Sequence, residues 1–302
     1  MRKMAVISLG HVGATVAYTL VSQGIADELV LIDTNEKKVV AEKLDFEDAM
    51  PRLPYHVEIK TQDYAELKDA DVIITAFGDI DASVRTGNRF AEFEINTKNA
   101  VEVGKKIKES SFSGVIIDIS NPCDAVTSIL QETTELPRNQ VLGTGTFLDT
   151  ARMQHVVGDA LGQDGRNVEG FVLGEHGNSQ FVAWSTVRVN NKPITEFFTE
   201  EELAELGKKP AEGGFKVANG KGYTSYAIAT CGVKLAQAVL SNAHFFGPVS
   251  TYVEEVGTYV GYPAIVGAKG VEKVVPLVLT DEEKAKLEQS ANYIKEHLDS
   301  LK

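Results

Sequence analysis

Short apolar runs separated by polar turns dominate the first half of the chain. Residues 4–9 (MAVISL), 29–32 (LVLI), 72–77 (VIITAF) and 115–119 (VIIDI) have the length and continuity of parallel strands buried on both faces. Between them the period changes. Val12, Val16 and Leu20 recur every fourth residue, and 91–108 is an amphipathic stretch, so both segments predict helices. This strand–helix–strand succession predicts an α/β fold with an open, doubly wound parallel sheet and right-handed crossovers. After about Thr144 the order becomes less regular, and 261–279 reads as a twisted antiparallel hairpin. The expected organisation is a first domain over 1–144 and a second, α+β domain over 145–302. The last helix begins at a capping box, Thr280 with Glu283, and carries an apolar stripe of Leu287, Ala291, Ile294, Leu298 and Leu301 for domain or subunit packing. The acidic cluster at 200–205 reads as a solvated helix face.

Composition narrows the range of partners. With 302 residues, 43% hydrophobic and 24% charged, the chain is long enough to bury two ordinary cores. A formal net charge of -13 opposes nucleic-acid and anionic-membrane partners, which select basic surfaces, and leaves a small-molecule partner as the expectation. Cys123 and Cys231 form neither a disulfide framework nor a CxxC motif, so a reducing cytoplasm is expected. The six histidines lack zinc-ligand spacing, and no metal is expected. The N-terminus leads directly into an apolar strand without signal-peptide features, and no run approaches the roughly 20 apolar residues of a membrane helix.

Ser8-Leu9-Gly10-His11-Val12-Gly13 joins the first strand to the first helix. It resembles G-x-G-x-x-G with serine in place of the first glycine. Gly10 lets a pyrophosphate approach the helix N-terminus, and Gly13 lets the helix pack closely on the strand. Serine must hold a negative φ or accept strain, so an altered turn is expected. Asp33 ends the second run, about 20 residues on, where a carboxylate accepts hydrogen bonds from a ribose diol. Together they predict a Rossmann domain for NAD rather than NADP, because a 2′-phosphate would meet a like charge. Each part also has a plainer reading: a strand-to-helix turn, and an aspartate capping the next helix.

Asp149-Thr150-Ala151-Arg152 and Gly174-Glu175-His176-Gly177 carry the candidate chemistry. An imidazole titrates near neutral pH, so His176 can give a proton to a carbonyl oxygen and take one from a hydroxyl. Asp149 can hold the ring tautomer and favour its charged form. Arg152 shares a helix face with Asp149 and can grip a substrate carboxylate with two parallel hydrogen bonds. The alternatives are a structural loop histidine and a simple Asp-Arg pair within a helix.

Taken together these motifs resemble the L-lactate and L-malate dehydrogenase family, from the first strand to the last helix. Ile119-Ser120-Asn121-Pro122 is similar to its strand-end loop, Thr144 to Arg152 to its substrate-helix entry, and Gly222-Tyr223-Thr224-Ser225 to a segment bordering its substrate pocket. The stretches LGEHGNSQFVAWSTVRV at 173–189 and NGKGYTSY at 219–226 look like those of the bacterial L-2-hydroxyisocaproate dehydrogenase branch. The resemblance implies hydride transfer between NAD and an L-2-hydroxy acid, with catalytic residues His176, Asp149 and Arg89, the last on a loop that polarises the reacting carbonyl. It implies substrate contacts at Arg152, Asn121 and Thr224. Cofactor contacts are implied at Gly10, Val12, Gly13, Asp33, Gly78, Asn121 and Thr144, with a cis peptide before Pro122.

The departures from the family pattern bear on the substrate. Ser83 stands where malate dehydrogenases carry an arginine for a second carboxylate, with Arg85 nearby, so a dicarboxylate is disfavoured. Gln154 and Glu169 replace the arginine and histidine of the family's fructose-bisphosphate site, which is therefore not expected. The expected substrate is a 2-oxo acid with an apolar or branched side chain. The alternatives are L-lactate or L-malate dehydrogenase and, in another class, a non-catalytic NAD-binding sensor. The resemblance also implies a homo-oligomer, with a tetramer favoured.

Overall fold

The four apolar runs of the first half form β1 (Lys3–Ile7), β2 (Glu28–Ile32), β4 (Val72–Thr75) and β5 (Val115–Asp118), which pair in parallel with two further strands, β3 (Glu58–Thr61) and β6 (Val141–Gly143). The structure, a computed structural model, describes residues 1–78 and 92–301. Every residue of β1, β2, β4, β5 and β6 is buried, which is why the longer of these strands read as continuous apolar runs. The edge strand β3 has the sequence EIKT and is partly exposed, and β6 is only three residues long. Neither makes a run that a periodicity search detects.

Alternate residues of the central strands build two cores. Met4 and Val6 pack with Val16 and Leu20 of α1 (His11–Ser22) and Val39 of α2 (Glu36–Ala49). Ala5 and Ile7 face the other side, with Ala100 and Ile107 of α3 (Phe93–Glu109) and Val126 and Leu130 of α4 (Cys123–Thr134). The strand order β3-β2-β1-β4-β5-β6 reverses direction between β1 and β4, the point where a doubly wound sheet opens a crevice at its carboxyl ends.

The sheet does not stop at β6. β10 (Phe245–Val253) pairs antiparallel with it through Ser250 and Gly143, and β11 (Thr258–Gly267) and β12 (Gly270–Val274) extend it to nine strands. The hairpin expected at 261–279 is β11 and β12, placed a few residues earlier and bulged between Ile265 and Val266. A separate antiparallel sheet contains β7 (Val168–Leu173), β8 (Phe181–Val189) and β9 (Lys192–Pro193). Among the described residues the further α-helices are α5 (Phe147–Leu161), α6 (Glu200–Lys221), α7 (Tyr226–Leu240) and α8 (Asp281–Asp299). Apolar packing crosses the expected boundary near Thr144: Leu235 and Ala236 of α7, Val249 and Ala264 belong to the same core as Met4 and Val6.

The capping box at Thr280 and Glu283 forms. Leu287, Ala291 and Ile294 of the stripe are buried, and they pack inside this chain, where Leu287 and Ile294 join Leu173 and Val260. Leu301 lies past the helix end and is exposed. The acids at 200–202 fill the first turn of α6 behind a second capping box from Thr199, where the helix dipole favours them. Among the described residues no helix is long and apolar enough to cross a membrane.

At the amino end of the sheet, Lys3 Nζ lies 2.7 Å from Glu28, 2.6 Å from Glu66 and 2.7 Å from Asp69. Lys3 and Glu28 are cross-strand partners, each with a side chain 5% exposed. Removing the cation leaves a buried carboxylate with Lys60 as its nearest remaining charge, at 3.1 Å. Lys3→Met should therefore lower stability by roughly 3 kcal/mol in chemical denaturation, and Lys3→Met/Glu28→Leu should recover most of that loss. Equal stability of Lys3→Met and the parent would contradict this assignment.

Candidate functional site

The dinucleotide turn forms despite its serine. Ser8 adopts φ 77°, the left-handed conformation ordinarily left to glycine. Of the two options open to it, a negative φ or strain, serine takes the strain, about 1–3 kcal/mol. Its N–H donates to the Ile32 carbonyl at 2.8 Å, and the Leu9 N–H donates to Asp33 Oδ2 at 2.5 Å. A Cβ on Gly13 would lie 1.9 Å from the Ser8 carbonyl oxygen, so glycine is required for helix and turn to meet. Gly10 caps α1 without any side-chain hydrogen bond, and a Cβ there would meet nothing within 4 Å. The amide end of the helix is left open for an anion.

Asp33 stands at the carboxyl end of β2. Its backbone is clamped by Gln62, at 3.0 Å to the Asp33 N–H and 2.7 Å to its carbonyl. Besides Leu9, its carboxylate accepts from the Asn35 N–H at 2.8 Å, and being only half-buried it can accept further hydrogen bonds from solvent or a ligand diol. Gly10, Val12, Gly78, Asn121 and Thr224 line one cavity of about 170 Å³. The peptide before Pro122 is cis, as expected. Thr144 is 1% exposed, does not line this cavity, and its hydroxyl sits 3.9 Å from Cys123 Sγ.

The catalytic candidates converge. α5 begins shortly after β6, which places Asp149 in its first turn and Arg152 one turn later on the same face. His176 follows β7 on a loop held by the backbone pair Gly174 and Gly261, where a Cβ on Gly261 would lie 2.7 Å from the Gly174 carbonyl oxygen. Asp149 is fully buried. Its Oδ2 is 2.5 Å from His176 Nδ1, and its Oδ1 accepts from Arg152 Nη1 at 2.9 Å. An ionised carboxylate only accepts, so Nδ1 carries the proton and Nε2 is the exchangeable position. Among the described residues Nε2 has no partner, and neither do Nε and Nη2 of Arg152. The Asp-Arg pair and an anion clamp are therefore compatible readings of one arginine. Arg89, Ser83 and Arg85 lie outside the described residues.

Sequence reasoning missed several neighbours. The Asp124 carboxylate accepts from the His176 N–H at 2.8 Å and from Ser250 Oγ at 2.6 Å. Glu175, 1% exposed, accepts from the Ser179 N–H and hydroxyl at 2.9 and 2.7 Å, and its own N–H donates to Ser290 Oγ at 2.7 Å. His11 stacks on Tyr223 with ring centroids 3.7 Å apart, joining the dinucleotide turn to the segment before α7. Behind the cavity, burial pushes the Asp118 carboxyl up to about 7 against hydrogen bonds from Ser120, Thr75 and Thr127. Burial also pushes the Cys123 thiol well up and that of Cys231 to about 12, so neither is a nucleophile at neutral pH. Pairings between distant segments such as these leave no periodic trace in the sequence.

The lactate/malate dehydrogenase NAD-binding domain matches residues 2–143, and the lactate/malate dehydrogenase alpha/beta C-terminal domain matches 146–302. The chain belongs to the lactate/malate dehydrogenase family. L-lactate dehydrogenase 1 of Bifidobacterium longum subsp. longum is 36% identical, over 99% of this chain and 98% of its own length. L-lactate dehydrogenase 2 of Lactococcus lactis subsp. lactis is 33% identical over 100% and 98%. A minor L-lactate dehydrogenase from Enterococcus mundtii, solved in a ligand-bound form, superposes with a TM-score of 0.92 at 32% identity, covering 100% and 98% of the two chains. The cofactor of this dehydrogenase family is NAD, and the open helix end at Gly10, the half-buried Asp33 carboxylate and the cavity that runs from Gly10 to Asn121 and Thr224 suit such a dinucleotide.

The two glycines of the turn should respond differently. Gly10→Ala should keep stability within about 0.5 kcal/mol while weakening NADH binding, whereas Gly13→Ala should also destabilise the fold by about 1–3 kcal/mol. Thermal unfolding with an NADH titration checks both, and equal stability of the two variants would contradict the geometry. Asp33→Ser should shrink the preference for NADH over NADPH, mainly by weakening NADH. Undiminished discrimination in that variant would remove Asp33 from cofactor selection.

Proposed function

We propose that this family member is an NAD-dependent L-2-hydroxyacid dehydrogenase interconverting an L-2-hydroxy acid and its 2-oxo acid. The observation that carries the reading is the buried Asp149 carboxylate, shared between His176 Nδ1 and Arg152 Nη1, with His176 Nε2 and the rest of the guanidinium left for a substrate. Bound NAD supplies the hydride-transfer chemistry. In the reducing direction His176, protonated at both nitrogens, donates from Nε2 to the carbonyl oxygen while Asp149 stabilises the imidazolium. In the oxidising direction neutral His176 takes the hydroxyl proton at Nε2. Arg152 binds the substrate carboxylate and so orients the reacting carbon. Arg89 is assigned to polarising the carbonyl, Asn121 and Thr224 to substrate contact. A pure NAD sensor would need no buried carboxylate behind a histidine with an unpartnered Nε2.

The full-length relatives named L-lactate dehydrogenase support L-lactate and pyruvate as the substrate pair. A longer apolar acid of the 2-oxoisocaproate type is the second reading, and its support is the segments at 173–189 and 219–226, the latter placing Tyr223 and Thr224 on the cavity wall beside Phe77 and Ile119. A dicarboxylate is disfavoured, since Ser83 cannot neutralise a second charge in a desolvated pocket. The chain is assigned to a reducing cytoplasm, in keeping with two buried, unpaired cysteines. It is assigned to a homo-oligomer, with a tetramer favoured; exposed Val40 and Leu44 on α2 and Tyr226 on α7 are apolar surface that a second copy can cover.

The test is kcat/KM with NADH for pyruvate, 2-oxoisocaproate and oxaloacetate, in the parent and in His176→Asn. At least one monocarboxylate should exceed oxaloacetate by about tenfold or more, equivalent to about 1.4 kcal/mol. The variant should bind NADH nearly normally and lose at least about 10²-fold in turnover. Reduction should fall with rising pH as His176 loses its second proton, and hydroxy-acid oxidation should rise over the same interval. A parent that prefers oxaloacetate overturns the monocarboxylate preference, and a His176→Asn variant with near-normal turnover overturns the role of His176.

A further inference from the structure

We infer that Asp124 is a positioning residue for the proton-transfer step: its carboxylate ties the His176 loop to the Asn121 loop and to β10, and its charge favours the protonated imidazole. The inference rests on the reading of His176 as the proton donor. Asp124 is 1% exposed and lies in the first turn of α4, three residues after Asn121, where the helix dipole supports a negative charge. Both oxygens are used, and both partners come from the other half of the chain. Oδ2 accepts from the His176 N–H at 2.8 Å, and Oδ1 accepts from the Ser250 hydroxyl at 2.6 Å.

His176 is thus held at two points by two buried carboxylates, through its ring by Asp149 and through its backbone by Asp124. An aspartate that only capped α4 would not need to reach a loop amide from a distant part of the chain. Because its helix also carries the Asn121 loop, Asp124 fixes the proton-donating loop relative to the cofactor side of the cavity. Rigidity of this kind matters because small displacements of a reacting group lower the rate steeply.

The charge has a second effect. Burial pushes the Asp124 carboxyl up to about 6; Ser250 and the His176 N–H act against burial, Glu175 acts with it, and the His176 ring when charged pulls it back down. Asp124 is therefore ionised at neutral pH and loses its charge as pH falls through about 6. Asp149 and Arg152 face His176 from α5, and Glu175 flanks it on its own loop. Cys123 and Asp118 lie behind Asp124, Cys231 of α7 lies near Asp149, and Tyr293 of α8 lies near Glu175. Asp124 adds to Asp149 and Glu175 a third negative charge around the imidazolium.

Asp124→Asn separates charge from geometry, since the amide oxygen can still accept from the His176 N–H while its NH₂ donates to Ser250 Oγ. Histidine-selective NMR of the NADH-loaded parent and variant follows the His176 ring, and stopped-flow reduction of the preferred oxo acid follows the chemical step. The ring's titration midpoint in Asp124→Asn should move to lower pH by at least about half a unit. The pH profile of reduction should move with it, while NADH affinity stays within about twofold. Asp124→Ala should lose at least about tenfold more in the reduction step, because geometry is lost as well. Midpoints that superimpose in parent and Asp124→Asn, or an alkaline shift, overturn the proposal whether or not Asp124→Ala folds. A parent that reduces no oxo acid overturns the dehydrogenase reading instead, and the NMR midpoint still decides whether the Asp124 charge acts on His176.

Discussion

The Asp149 carboxylate is the constraint around which the functional half of the molecule is arranged. A fully buried charge is tolerated only when both oxygens are compensated, and here one faces an imidazole and the other a guanidinium. Meeting that requirement brings together a helix that starts beside β6 and a loop that leaves β7. It also selects the His176 tautomer and turns one edge of Arg152 toward the protein, leaving the other for an anion. Under the proposed mechanism the pair is structural and catalytic at once: the contact that makes the buried charge tolerable also prepares the proposed proton donor.

Continuity of the sheet is what lets this arrangement be rigid. β10 joins β6 through Ser250 and Gly143, and the same serine hydroxyl reaches Asp124. The parallel sheet that carries the dinucleotide turn and the antiparallel strands that carry the far wall of the site are therefore one object with a shared apolar core. The groups proposed to bind the cofactor and to donate the proton sit on elements whose relative positions are set by strand pairing, and preorganisation of this sort favours hydride and proton transfer in a single geometry.

Legibility in the sequence followed burial pattern and local chemistry. The strands buried on both faces were readable because their runs are continuous, whereas β3, half-exposed at an edge, and the three-residue β6 carry too little pattern to detect. The capping box at Thr280 was readable because it is a contact between residues three apart. Ser8 was readable only as a conflict, since the choice between a negative φ and a strained serine depends on what holds the turn. Hydrogen bonds from Leu9 to Asp33 and from Ser8 to Ile32 decide it. The burial of Thr144 beside Cys123 was not readable, because it depends on where the segment after β6 meets the helix that begins at Cys123.

The sequence by itself determined the secondary-structure period, the dinucleotide turn, the position of Asp33 and the residue types of the proton-transfer set, because these depend on neighbours a few positions apart. Tertiary structure alone decided that Asp124 and Ser250 hold the His176 loop and that His11 stacks on Tyr223. Those contacts join residues far apart in the chain, and each exists because a buried polar group must find a partner wherever the fold supplies one. Local patterning says which partners a residue can use; only the closed sheet says which one it meets.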